Sequence, residues 1–215
     1  MISPTIIEPL SLTWWIGIII STLIAIAIIQ IAMRIPPDKR KVLMLFIGIS
    51  LIGIELIQQF YLNHLGIWTM ETSLPIHLCG ISGILAGVMM LRPSNIGFEF
   101  LALIGSAGEL HAILTPQLNH GSIPFLIFKY YISHFGIILV PLFLAIVLGY
   151  RIKRISWARV FLLCQVLLFF IGTTNYFIGS NYMYLAEKPM VNNPMVIGEW
   201  PWYIIGFEIL GLVHI

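Results

Sequence analysis

The sequence predicts an all-α fold: a polytopic membrane helix bundle of about seven transmembrane helices, in a single domain over residues 1–215. Three observations predict it. Of the 215 residues, 59% are hydrophobic and 9% charged, whereas a soluble domain carries about 25% charge. So few charges cannot coat a water-facing surface, so lipid must cover most of the exterior. Seven apolar windows approach the roughly 20 residues that a helix needs to cross the hydrocarbon. Lysine and arginine fall almost wholly on alternate connections. Helices are forced because each unpaired backbone group in lipid costs several kcal/mol.

The windows, in order, are 12–33, 42–61, 74–91, 96–115, 125–149, 157–178 and 199–215. The first ends before Pro36-Pro37, and the second follows the basic run Lys39-Arg40-Lys41. The third stops at Arg92-Pro93-Ser94-Asn95 and the fourth at Thr115-Pro116, both sequences that break helices. The fifth and sixth flank a basic connection, and Gly179-Ser180-Asn181 closes the sixth. The seventh is short and lacks a basic flank, so the chain is expected to continue past Ile215. Trp14, Trp15, Trp68, Trp157, Trp200 and Trp202 fall near the expected interfaces, where amphipathic rings are favoured. The first window is expected to be a retained span rather than a cleaved signal peptide: it has no basic n-region, carries Glu8 before it and is of full spanning length.

Arg34, Lys39, Arg40, Lys41, Arg92, Arg151, Lys153, Arg154 and Arg159 lie on one side of this scheme; Lys129 and Lys188 lie on the other. The positive-inside rule makes the nine-residue side cytoplasmic. The N-terminus is then outside and the C-terminus cytoplasmic, and the protein is a multi-pass component of the cell membrane. Nothing in the basic residues suggests a nucleic-acid groove, and no cofactor motif is present. Cys79 and Cys164 are too few for a disulfide framework.

With this topology, polar groups gather at the outer helix ends. Glu55, Gln58 and Gln59 close helix 2; His77 and Cys79 open helix 3; Glu109 and His111 close helix 4. Lys129, Tyr130 and His134 are in the outer half of helix 5, and Thr173, Thr174 and Asn175 close helix 6. Ionisable groups inside a membrane are expensive and functional by default. Glu55, Cys79 and Glu109 are each about six residues inside a helix end, a depth of roughly 9 Å, level with lipid ester carbonyls. Lys129 is expected to snorkel outward, Glu99 to be interfacial, and Cys164 to be a small apolar residue. His77 and Cys79 are two residues apart, roughly 200° around a helix, and share a cavity only if the helix entry near Pro75 is irregular. Cys79, Gly83 and Gly87 form a stripe of small residues that admits a close neighbouring helix. A thiol beside an imidazole is a nucleophile–base pair capable of acyl transfer through a thioester. His134 is the better-placed base, with Tyr130 one turn before it; Glu55, Glu109 and Asn175 are candidates to orient its ring.

Leu74-Pro75-Ile76-His77-Leu78-Cys79-Gly80-Ile81, Leu114-Thr115-Pro116, Ile132-Ser133-His134, Gly179-Ser180-Asn181-Tyr182-Met183-Tyr184-Leu185 with Lys188-Pro189, and Trp200-Pro201-Trp202-Tyr203 together resemble the YwaF family of bacterial integral membrane proteins. That family is similar to animal transmembrane protein 164, a cysteine-dependent acyltransferase acting on ether phospholipids. The resemblance implies Cys79 as the acyl-accepting nucleophile and His134 as its base, with membrane lipids as substrates. His77, Glu55, Glu109, His111, Asn175 and Tyr130 are the expected supporting residues. The alternative is a transporter or ligand-sensing protein using the same His/Glu cavity without covalent chemistry. Zinc bound by His77, Cys79, Glu109, His111 and His134 is a weaker reading, because none has a familiar ligand spacing. A retinal-binding sensor is excluded because window 199–215 has no lysine.

Overall fold

A computed structural model of the chain describes residues 4–190, 196 and 198–214. It is an all-α membrane bundle. The long elements are α1 (Leu12–Arg34), α2 (Pro37–His64), α3 (Leu78–Leu91), α4 (Asn95–Leu114), α5 (Pro124–Val147), α6 (Ser156–Ile178) and α7 (Trp202–His214). Five of them, α1, α2, α4, α5 and α6, are long and apolar enough to cross a membrane, while α3 and α7 are shorter apolar helices. The final residue of the expected seventh window, Ile215, lies outside the described residues. Many large side chains on the outside are apolar, such as Phe169 at 70% and Leu23 at 61% exposure. Such a surface is stable only against hydrocarbon.

Local chemistry sets the boundaries. The Ser11 side chain accepts from the Trp14 N–H at 3.3 Å and caps α1. Ile35, which precedes Pro36, is extended and ends that helix. Helix α2 starts at Pro37 rather than 42, because proline at the first helical position is preorganised. The basic run therefore lies inside α2, where a hydropathy window could not see it. Gly179, at φ +66°, terminates α6. The Arg151 guanidinium donates to the carbonyls of Ala145 and Tyr150 at 2.8 and 2.9 Å, closing the end of α5.

Two departures from the expected helices shape the interior. Helix α3 begins at Leu78 instead of 74, and His77 is extended. Gly80 permits this: a Cβ there would sit 2.7 Å from the Pro75 carbonyl oxygen, so the entering chain folds back over the first turn. Helix α4 contains a π-helical turn, Leu101–Gly105, and the Ser106 hydroxyl donates to the Leu101 carbonyl at 2.9 Å. Such turns insert a residue and re-aim side chains, often at functional sites.

Helices α2 and α3 make the closest pairing and run in opposite directions. A Cβ on Gly87 would lie 2.9 Å from the Gly48 carbonyl oxygen, and one on Gly83 would lie 3.2 Å from Glu55 Oε1. The small-residue stripe thus admits α2. Gly87→Leu is expected to destabilise the protein by about 1–3 kcal/mol through overpacking. Gly53 has open space around its Cβ direction, so Gly53→Leu leaves the melting temperature in detergent nearly unchanged. Equal losses from the two substitutions would contradict this packing.

Several connections meet at one end of the bundle. Thr5–Ile6 and Gln117–Leu118 form a two-stranded antiparallel ladder. The Tyr182 hydroxyl accepts from the Leu74 N–H at 2.8 Å and donates to the Met70 carbonyl at 2.7 Å. The N-terminal segment, 65–77, 115–123 and the turn after α6 therefore build a common cover.

Candidate functional site

Beneath that cover lies a cavity of about 460 Å³, within the usual range for small-molecule sites. Cys79, in the first turn of α3, is a free thiol on its wall. His134 and Tyr130 from α5, Glu109 and His111 from α4, Glu55 from α2 and His77 also line it. Asn175 does not. The irregular helix entry is present, so His77 and Cys79 share the cavity despite their spacing.

The depth of Cys79 also has a different origin from the one expected. Gly83 is level with Glu55, nine residues before the end of α2. Cys79 is one turn nearer that end, which puts it about 8 Å below it. The loop 65–77 descends to reach this level; the depth does not come from six residues of α3.

His134 is held by its own helix. Its Nδ1–H donates to the Tyr130 carbonyl at 2.6 Å, and its ring stacks on that of Tyr130 with centroids 3.8 Å apart. The Tyr130 hydroxyl donates to the Ala112 carbonyl at 2.6 Å, tying α5 to α4. A carbonyl can only accept, so Nδ1 carries the proton and Nε2 is left as the basic nitrogen. Glu109 Oε2 lies 3.3 Å from Nε2. That oxygen is buried and has no aligned hydrogen bond, so the contact becomes strongly attractive when Nε2 gains a proton. Among the candidates to face His134, the geometry favours Glu109.

Glu55 is engaged elsewhere. Its Oε1 lies 2.8 Å from Lys129 Nζ and accepts from the Ser133 hydroxyl at 3.1 Å. Lys129 therefore does not snorkel: its side chain is 13% exposed and turned to an internal carboxylate. A buried carboxylate attracts an ammonium more strongly than an interface can. Glu99 is fully buried within the bundle, with Arg159 3.8 Å away. Asn175 organises the turn after α6. Its amide donates to the Tyr182 carbonyl, and its Oδ1 accepts from the Tyr182 N–H and the Ser180 hydroxyl.

The Asn181–Leu185 strap is the part of the site whose role was not legible in the sequence. Met183 and Tyr184 have φ of +56° and +55°, a costly conformation for residues with side chains. It brings the Met183 N–H to His77 Nδ1 at 3.1 Å and sets the rings of Tyr182 and Tyr184 against His77. Gln117 donates to the Tyr184 hydroxyl at 3.3 Å. His77 thus joins the strap to the cavity mouth. Nearby, His120 is 3.2 Å from the Ser73 hydroxyl. Burial first, and the Lys129 charge second, hold its pKa below the ordinary imidazole value. The mouth is therefore uncharged at this histidine at neutral pH.

Cys164 lines the deep end of the same cavity, and Glu208 of α7 accepts from Gln165 at 2.7 Å beside it. Both cysteines are free. Among the described residues, no three His, Cys, Asp or Glu side chains converge in a way that would hold a metal ion.

Residues 7–215 match the model of one protein family, described as the TMEM164 family, in line with the resemblance to animal transmembrane protein 164 carried by the motifs. No curated protein and no solved structure matches the chain.

Proposed function

The chain belongs to the TMEM164 family, and on that premise we propose that it is a cysteine-dependent lipid acyltransferase working in the extracytoplasmic half of a bacterial plasma membrane. The observation that carries this reading is the joint lining of one cavity by a free thiol and by an imidazole whose Nδ1 is already committed.

His134 Nε2 takes the Cys79 proton, and the thiolate attacks the ester carbonyl of a donor lipid. The acyl carbon–oxygen bond breaks, and the departing lipid oxygen takes the proton from His134. A hydroxyl of a second lipid then gives its proton to Nε2 and attacks the thioester. The acyl group passes to that oxygen, and the Cys79 sulfur leaves and regains the proton. Glu109, 3.3 Å from the same Nε2, balances the imidazolium charge in both halves, while the Tyr130 carbonyl holds the other ring nitrogen. Lys129 lines the same cavity, and its charge favours the negative charge that develops on the carbonyl oxygen.

In this reading all seven long helices cross the membrane, the nine basic residues face the cytoplasm, and the covered end faces outward. Reporter tags in 65–73 and 116–122 are expected to read outside, and a tag beside Arg151 to read cytoplasmic. The reverse pattern would refute the orientation.

The activity is tested in proteoliposomes holding a phospholipid with an isotopically labelled acyl chain and a lysolipid acceptor. Label is expected to move to the acceptor with wild type and not with His134→Ala. Label that moves equally well with Cys79→Ser would overturn the proposal, because that variant cannot form the thioester.

A further inference from the structure

The cavity does not end at the thiol. Ile104 from the π turn, Phe161 and Leu167 from α6, and Ile204, Phe207 and Leu212 from α7 line its deeper part. We infer that this part is a binding channel for a single acyl chain, entered beside Cys79 and holding the carbonyl-proximal stretch of the chain. This rests on the acyl-transfer reading for its occupant, but the channel makes its own demands.

Its length follows from the helix register. Arg159 Nη1 reaches to within 3.8 Å of Glu99 Oε1, which puts α6 and α4 within a side chain's length of level at that point. Phe161 is then two residues above this level and Glu109 ten residues above it. At 1.5 Å per residue the separation is about 12 Å. Ordinary carbon–carbon geometry advances about 1.25 Å per methylene, so about ten carbons fit between the reactive level and Phe161.

The walls suit that occupant. Apart from the Glu208–Gln165 pair and Cys164, the deep residues named here are hydrocarbon or aromatic, and each methylene they cover contributes about 0.8 kcal/mol. Continuity with the thiol is the second argument: Cys79 and Phe161 line one cavity. A lipid headgroup would not enter such walls, and a water-soluble substrate would gain nothing from them. The π turn contributes by directing Ile104 into the channel. Glu208 Oε2 accepts from Gln165 at 2.7 Å, so one carboxylate oxygen is partnered without the ligand.

Gly211 is the point of control. A Cβ there would lie 3.8 Å from Ile104 Cδ1, an ordinary contact. Alanine therefore fits, whereas a phenylalanine ring would occupy the channel.

The test uses Cys79→Ala protein in nanodiscs, which cannot form a thioester. The probe is a phosphatidylcholine with a photoactivated diazirine about ten carbons from the ester carbonyl. Cross-links are expected on Phe161, Cys164, Phe207 and Glu208, well above those on lipid-facing Leu23 and Ile24. Adding Gly211→Phe is expected to reduce the channel cross-links on the order of tenfold, and adding Gly211→Ala to retain them. Cross-links on α7 no denser than on α1, or undiminished by phenylalanine in a protein that melts normally, would overturn the channel. Should Gly211→Phe fail to fold, the distribution of cross-links in its parent and the alanine variant still decides. The two proposals fail separately: transfer by wild type without channel cross-links ends the channel alone, and channel cross-links without transfer end the chemistry alone.

Discussion

Replacing Cys79 by alanine is expected to lower acyl transfer on the order of 10⁴-fold or more, because the atom that carries the acyl group is gone. Serine is expected to rescue little: its hydroxyl is a far weaker nucleophile than a thiolate at the same base. His134→Ala is expected to cost about 10²–10⁴-fold, the usual range for a general base. The double variant should be scarcely slower than Cys79→Ala, since the two groups act in one step. Glu109→Gln separates positioning from chemistry. It keeps the volume beside Nε2 and removes the charge that balances an imidazolium, so kcat is expected to fall more than KM rises. Cys164→Ala is expected to lower kcat far less than Cys79→Ala, because its sulfur lines the cavity but takes part in no bond change. Transfer that survives in Cys79→Ala but is lost in Cys164→Ala would invert the assignment of the two cysteines.

The second large effect concerns stability. Lys129 and Glu55 form an ion pair at 2.8 Å with side chains 13% and 5% exposed. Removing one partner of a buried pair leaves an uncompensated charge and destabilises by about 3–5 kcal/mol. Lys129→Met is therefore expected to lower the melting temperature in detergent sharply, although Ser133 still donates to Glu55. Lys129→Met combined with Glu55→Leu is expected to recover most of the loss, because neither charge then needs a partner. The recovered protein should still transfer acyl groups more slowly, having lost the cation at the cavity wall. Single and double variants of equal stability would mean that the pair contributes nothing.

The bundle was legible because hydrocarbon imposes a simple rule: backbone groups must pair within a segment, so spans appear as long apolar runs. What the rule does not reach is the depth at which a helix begins. Helix α3 starts at Leu78 because Pro75 is followed by Gly80, which lets the chain fold over the first turn. The apolar run itself extends further back, so the window was too long. The π turn in α4 left no trace in hydropathy either. At the site, the gathering of Cys79, His134, Glu109 and Glu55 could be read from coincident helix ends. The partnerships could not. An isolated lysine snorkels to the interface, but Lys129 shares a helix face with Ser133, one turn along, and both turn to Glu55. Asn175 has the right depth but faces the turn after α6. Depth can be counted along a chain, whereas which neighbour a side chain meets depends on packing.

The central claim is that the sulfur of Cys79 carries the acyl group during turnover. Wild-type protein reconstituted with donor lipid and no acceptor should be digested and weighed by mass spectrometry. The account predicts one added acyl chain on the peptide containing Cys79, released by neutral hydroxylamine and absent from His134→Ala. An unmodified Cys79 in protein that transfers acyl groups once acceptor is added, or the acyl mass on Cys164 instead, would contradict it.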